Sequence, residues 1–425
     1  MKPTLIIKNI GALATPTGNA PKAGELQGAI ELIRDSYIVI AGQEILEIGS
    51  GEVPPRFVKS GAEILDARGA LVTPGLVDAH THLVFGGWRE HELADKLRGV
   101  SYLDILKRGG GILSTVAATR AATQDELTAK AKASLSEMLA LGTTTCEAKS
   151  GYGLTPDDEV KQLNVVKRLK GEQPVELVST FMGAHAVPGE YMDDKEAYIS
   201  LIIDAMLPYI AERGLAEYCD VFCETAVFSA LEAERILSAA QKLGLGAKIH
   251  ADEIDAIGGS EVAAELGAVS AEHLIAITEN GMDMLAHSGT IAVLLPATSF
   301  YLGKGYAPAR RMIEKGIPVA VASDFNPGST PNLSLQLAMN IACYKYLLTP
   351  EEALTAVTLN AAASIGRSHT VGTLECGKQA DILVWNAPNL DMIFYRYGSN
   401  QVKNVIKKGK IIAVSYTHLT LPTIL

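Results

Sequence analysis

The sequence predicts a (β/α)8 barrel carrying a small β-domain built from both ends of the chain, and two patterns predict it. Between residues 71 and 324, eight short apolar runs alternate with helix signals, which is the signature of parallel βαβ units. Outside that stretch, residues 1–70 and 372–414 are strand-like and turn-rich, and neither segment alone can bury both faces of a sheet. At 425 residues, with 48% hydrophobic and 20% charged residues, the chain suits a large barrel plus a minor domain.

The barrel strands are expected at 71–80, 143–147, 175–185, 218–224, 247–250, 269–273, 290–296 and 318–324. Helices fill several gaps. Thr123 with Glu126 forms a capping box, Thr155-Pro156 places proline at a first helical position, and Ser229 with Glu232 opens a helix that stops at Gly244. For the β-domain, residues 37–40, Gly42 and 45–48 read as one hairpin, and 402–406 with 411–412 as another. The expected division is therefore 1–70 with 370–414 as the β-domain and 71–369 as the barrel. A doubly wound sheet is the structural alternative.

In a barrel of this kind the active site lies at the C-terminal ends of the strands. His80, Glu147 or Lys149, His185, Glu224, His250, His273 and Asp324 end the predicted runs, so a set of polar groups converges on one mouth. His80 and His82 are two apart, and strand alternation points both imidazoles to one side. His250 and Asp324 close two later strands. Three imidazoles and a carboxylate suit one Zn²⁺ or Fe³⁺ per chain, with room for a water. The fourth strand ends in Glu224, without the lysine that two-metal relatives of this architecture carboxylate to bridge their ions, and Lys149 follows the second strand, so a single metal is expected. His273 is placed to hold water or a developing oxyanion, and Glu253 is a candidate proton shuttle. Asp324 could also take the water's proton while ligating.

Composition narrows the partners. A formal net charge of −11 argues against nucleic acid and anionic membrane, so an anionic substrate needs a local cation. The five cysteines are scattered and imply no disulfide framework. Cys219 and Cys223 are expected to pack inside a strand. The N-terminus lacks a signal-peptide pattern and no apolar run spans a membrane, so a cytoplasmic location is expected.

More specific motifs follow in order. They are Gly75–Arg89 (GLVDAHTHLVFGGWR), Glu147–Gly153 (EAKSGYG), Gly183–Pro188 (GAHAVP), Lys248–Glu253 (KIHADE) and Ser323–Ser329 (SDFNPGS). Together they resemble the imidazolonepropionase family of the amidohydrolase superfamily, over residues 1 to about 414. The resemblance implies hydrolysis of 4-imidazolone-5-propanoate to N-formimidoyl-L-glutamate in histidine degradation, a β-sandwich built from both termini, and a homodimer. It implies His80, His82, His250 and Asp324 as metal ligands. It also implies Arg89, Tyr152, His185, Glu253, Asn326, Gly328 and Ser329 as residues contacting the small anionic substrate or its product. A guanidinium is the best planar partner for the substrate's propionate, and Arg89 supplies the local cation. A related amidohydrolase deaminating a purine or pyrimidine ring is the alternative, and it has no need of Arg89. Gly109-Gly110-Gly111 reads as a hinge or as a plain flexible turn. Residues 415–425 depart from the family pattern and are expected to be a non-native tail, so that His418 is no ligand.

Overall fold

The computed structural model describes residues 2–100 and 109–412. The tail 415–425 and its His418 lie outside the described residues. Among the described residues, sixteen strands divide equally between two sheets. The first sheet takes β1 (Leu5–Thr15), β2 (Glu31–Ala41), β3 (Glu44–Ser50), β4 (Glu63–Asp66) and β5 (Leu71–Pro74) from the N-terminal side. Its remaining strands, β14 (Ile382–Trp385), β15 (Val402–Lys407) and β16 (Lys410–Ile412), come from the other end of the chain. The strand order β16-β15-β14-β5-β1-β2-β3 joins the two ends where β14 pairs β5. Trp385, wholly buried on β14, donates its indole N–H to Thr73 Oγ1 on β5 at 2.8 Å.

Hydrogen bonds run through this sheet without a break, so the layers of the expected sandwich belong to one sheet that curls back on itself. Near the far edge, Glu44 bridges Gln379 just ahead of β14, and Ile45 N–H donates to Lys378 O at 2.9 Å. Inside the curl, Leu5, Ile7, Ile38, Ile40, Val72, Ile382, Val384 and Ile406 belong to one buried apolar core. The alternation of Leu5 and Ile7 along β1 buries one strand face there.

The second sheet is the barrel. Its strands are β6 (Leu76–Asp78), β7 (Thr143–Lys149), β8 (Glu176–Ala184), β9 (Tyr218–Cys223), β10 (Gly246–Ala251), β11 (Ser270–His273), β12 (Ile291–Leu294) and β13 (Val319–Val321). Each pairs in parallel with the next in chain order. The seam between β13 and β6 closes just above them. Thr81 bridges Phe325, Asp324 N–H donates to His80 O at 3.0 Å, and His82 N–H donates to Phe325 O at 2.9 Å. Closing at that level ties the first and last strand ends together at the mouth.

Local signals hold where they were read. The three caps head helices Gln124–Ala140, Pro156–Glu172 and Ala230–Lys242, with Thr123, Thr155 and Ser229 accepting from the third helical N–H. Each such cap is worth about 1 kcal/mol. Cys219 and Cys223 are buried on β9 and unpaired. One expectation is corrected. The apolar run 71–80 is two strands in different sheets, β5 and β6, parted at Gly75. A Cβ on Gly75 would lie 2.3 Å from Thr144 Oγ1, so only glycine lets the chain pass so close to β7 as it crosses between sheets. No helix among the described residues is long and apolar enough to cross a membrane.

Candidate active site

The ends of β6, β10 and β13 bring His80, His82, His250 and Asp324 together. Asp324 Oδ1 lies 3.4 Å from His80 Nε2 and 3.7 Å from His82 Nε2. His250 Nε2 lies 3.4 Å from His82 Nε2. Those three spacings are of the size expected between donors that stand about 2.0–2.2 Å from one ion; His80, His82 and Asp324 offer atoms all within 4.8 Å of one another, as do His80, His250 and His273. His80 Nε2 and Asp324 Oδ1 are buried without a hydrogen-bond partner. A buried polar atom left so is costly, and a cation between the two would satisfy both. The donor set fits a metal ion. The other Asp324 oxygen, Oδ2, accepts from Thr298 Oγ1 at 2.5 Å, which leaves Oδ1 as the free end.

Charge follows the same geometry. Burial, reinforced by neighbouring positive charge, holds the pKa values of His82 and His250 well below the usual histidine range, so both stay neutral, as ligation requires. Burial also opposes charge at His80, but Glu272 and then Asp324 outweigh it and lift its pKa to about 9. Asp324, against the same burial penalty, is held down to about 2, chiefly by His80. The field at this point favours positive charge.

Beneath the cage lies a layer of charge that the sequence reading missed. His80 Nδ1 is ion-paired with Glu272 Oε2, and His250 Nδ1 lies 3.0 Å from Asp220 Oδ1. Lys149 Nζ sits between them, 2.7 Å from Asp220 Oδ2, 3.0 Å from Glu272 Oε2 and 2.9 Å from Glu147 Oε2. Lys248 Nζ adds a contact of 3.0 Å to Glu272 Oε1. All five side chains are fully buried. Lys149, expected as a strand end facing the mouth, instead fills the barrel interior beneath His80 and His250. A sequence signal existed for Asp220 and Lys248, since each is a charge inside an otherwise apolar strand.

Across the mouth, His273 Nε2 lies 3.7 Å from Glu253 Oε2. Burial raises the Glu253 pKa. Glu224, another predicted strand end, braces the Glu253 loop by accepting from Ile254 N–H at 2.8 Å and Asp255 N–H at 3.2 Å. Asp252, His273, Leu274 and Asp324 all have left-handed backbone, with φ of 51°, 70°, 56° and 55°. Such strain costs of order 1 kcal/mol per residue or more and gathers where geometry is over-determined.

The residues implied for substrate surround this cage. His185 stacks on His82 with ring centres 4.8 Å apart, and Tyr152 lies 5.7 Å from His82 and 5.2 Å from His185. Gly151 O holds His185 Nδ1 at 3.0 Å. The Tyr152 loop is itself pinned by buried Glu159, which accepts from Gly151, Gly153 and Leu154 N–H at 2.8–3.0 Å. Arg89, on the loop after β6, is gripped by the buried Glu92 carboxylate at 3.1–3.2 Å. Its guanidinium rests on Gly328, where a Cβ would stand 2.3 Å from Nη1. Lys96 Nζ donates to Gly328 O at 2.9 Å. Asn326 commits its amide to its own loop. Its Oδ1 accepts from Gly328 N–H at 2.8 Å and Ser329 N–H at 2.7 Å, while Nδ2 donates to Asp324 O at 2.7 Å and Ser329 Oγ at 2.8 Å. The loop carrying Asp324 is therefore the same one that meets Arg89.

Comparison with known proteins bears on this site. The amidohydrolase family model matches residues 71–412. Imidazolonepropionase of Alkaliphilus oremlandii is 54% identical over 409 residues, covering 96% of this chain and 97% of that protein. Imidazolonepropionase of Fusobacterium nucleatum is 51% identical over 412 residues, covering 97% and 99%. Among solved structures, a triazine hydrolase variant superposes with a TM-score of 0.73 at 18% identity, covering 96% of this chain and 94% of that one. An adenosine deaminase from Xanthomonas campestris with bound zinc gives 0.67 at 19%, covering 96% and 92%. At those identities the structures speak for the fold alone, while the sequence matches run nearly end to end at half identity or better. The chain belongs to the amidohydrolase family, within its imidazolonepropionase branch.

Proposed function

We propose that this chain hydrolyses the ring amide of 4-imidazolone-5-propanoate to N-formimidoyl-L-glutamate, as an imidazolonepropionase of histidine degradation. The observation that carries the reading is the seat of Arg89 on Gly328, because it sets a cation beside the loop that also bears Asp324. A deaminase of neutral rings has no use for that cation. His80, His82, His250 and Asp324 are the proposed ligands of one zinc or iron ion per chain. Held there, the ion supplies an acidified water and polarises the ring carbonyl.

The remaining steps belong to the side chains. Arg89 grips the propionate as a planar fork, and Tyr152 and His185 flank the ring. Water's oxygen bonds to the carbonyl carbon as His273 steadies the developing oxyanion. Glu253 carries the water's proton to the departing ring nitrogen as the C–N bond breaks. Its buried carboxyl has a raised pKa, which suits a shuttle, and Asp324 serves as ligand. The new carboxylate is received by the loop of Asn326, Gly328 and Ser329. The proposal extends to a cytoplasmic homodimer in which the N-terminal side of the β-domain runs on from the expected boundary at 70 through β5 to Pro74, joined by the strands after residue 370, with the barrel between them. Loss of the imidazolone ultraviolet band on adding enzyme, with N-formimidoyl-glutamate as product, tests substrate and reaction together. Ammonia released from purines or pyrimidines, with the imidazolone untouched, would overturn it.

A further inference from the structure

Lys149 takes no part in the chemistry above, yet it is wholly buried and ion-paired to three carboxylates. Two of these carboxylates lead straight to ligands. Asp220 gives Oδ2 to Lys149 at 2.7 Å, and Oδ1 both to His250 Nδ1 at 3.0 Å and to the His250 N–H at 3.2 Å. Glu272 gives Oε2 to Lys149 at 3.0 Å and to His80 Nδ1, and Oε1 to Lys248 and to Ser270 Oγ, each at 3.0 Å. We propose that Lys149 is a positioning residue of the metal centre: it clamps Asp220 and Glu272 so that their carboxylates fix Nδ1 of His250 and His80 and turn both Nε2 atoms to the ion.

The inference rests on the reading of His80 and His250 as ligands, and it adds what aims them. A carboxylate on Nδ1–H settles the tautomer, leaves the Nε2 lone pair free and strengthens it as a donor. A mobile carboxylate would not aim a ring. The ammonium has three protons and meets three carboxylates, so each is anchored from one point. Stability alone gives little reason for such a layer, since buried ion clusters can often be replaced by apolar side chains at no loss, and barrel interiors are ordinarily filled with branched apolar residues. Both bridges ending on ligand imidazoles supply the reason.

The test measures Zn²⁺ affinity of the full chain by chelator competition, with the visible spectrum of the Co²⁺ form as a second readout. Lys149→Met should weaken Zn²⁺ binding about 10- to 100-fold, the usual effect of removing an outer partner of a ligand, and alter the Co²⁺ bands. Glu272→Gln and Asp220→Asn should do likewise. The double variant Lys149→Met/Glu272→Gln should lose less than the product of the two single losses, because both break one chain of contacts. A folded Lys149→Met chain that melts lower but binds Zn²⁺ within about twofold of wild type would show a merely structural lysine and overturn the proposal. If Lys149→Met does not fold, Glu272→Gln and Asp220→Asn decide, and wild-type affinity in both overturns it. A wild-type chain that takes up no Zn²⁺ or Co²⁺ would instead sink the ligand assignment.

Discussion

Arg89 lies so close over Gly328 that a single added carbon would stand 2.3 Å from its Nη1. The guanidinium is fixed from two sides, by that backbone below and by Glu92 at 3.1–3.2 Å. Position and charge can therefore be tested apart. Gly328→Ala should push Arg89 off its seat while leaving its charge in place. A displacement of that kind costs about tenfold in kcat/KM, carried mostly in KM. Metal content should stay at the wild-type value, and steady-state kinetics with elemental analysis check both.

Removing the charge itself should cost more. Arg89→Met is expected to lower kcat/KM for the imidazolone about 30- to 150-fold, equivalent to about 2–3 kcal/mol for a lost charge-assisted contact. Arg89→Lys should recover only part, because an ammonium cannot form the planar fork. A ring analogue without the propionate should be turned over poorly, and about equally, by wild type and Arg89→Met. Unchanged kcat/KM in Arg89→Met would move the anchor elsewhere, with Lys96, which shares Glu92 and donates to Gly328 O, the cation to test next.

Much of this architecture was legible because β-strand alternation is simple to read. A histidine two residues from another must share its face, and apolar runs ending in His, Glu or Asp mark a barrel mouth. The capping boxes at Thr123 and Ser229 were equally plain, being local chemistry. Two features were not. The run 71–80 is apolar throughout, and hydropathy does not record that the chain changes sheets at Gly75; only the nearness of Thr144 makes that glycine necessary. The charge layer also escaped notice. Glu272 directly precedes His273, and Glu147 and Lys149 were read as strand ends facing the mouth. Their partners lie on other strands, as with Lys149 and Asp220, 71 residues apart.

Asp78 offers a stability test with a definite sign. It is fully buried on β6 and accepts from Ser323 N–H at 3.0 Å across the barrel seam. Burial raises its pKa to about 6, above the unfolded value near 3.9. The folded state therefore binds the extra proton between those values, and stability falls as pH rises from about 4 to about 6. Asp78→Asn keeps an oxygen for Ser323 but never ionises. The metal-free variant should match wild type at pH 4 and exceed it by about 2–3 kcal/mol at pH 8. Denaturant melts at the two pH values measure the gap, and a gap that shrinks with rising pH would contradict the assignment.

Thr298 tests the proposed ligand role of Asp324 without altering Asp324 itself. Its hydroxyl donates to Asp324 Oδ2 at 2.5 Å and neighbours Thr330 Oγ1 at 2.6 Å. Thr298→Val keeps the shape and removes the donor. Asp324 would then be free to rotate, and metal affinity should fall about tenfold, the lower end for losing an outer hydrogen bond. Chelator competition reads this directly, and wild-type affinity would mean that Asp324 is held by its backbone alone.

The last prediction concerns how many ions the site takes. Besides His80 with His82 and Asp324, the described residues hold three further groupings of buried ligand atoms: His80 with His250 and His273 at the cage itself, and, beneath it, His80 with Glu147 and Glu272, and Asp220 with His250 and Glu272. Each of the lower two resembles a second metal position. Lys149 Nζ already lies within 3.0 Å of Glu147, Asp220 and Glu272, and Lys248 Nζ is 3.0 Å from Glu272. Their ammonium charges do what a second ion would do, and an ion forced among them would meet two like charges at close range. The proposed cage also supplies four donors without borrowing from that layer, enough to hold one ion. Purified wild-type chain should therefore hold about one zinc or iron by elemental analysis. His250→Ala and Asp324→Ala should each lose most of that ion and all measurable turnover, because the first shell is left incomplete. Two ions per active chain would refute the single-site reading and require Lys149 to be displaced from its three carboxylates.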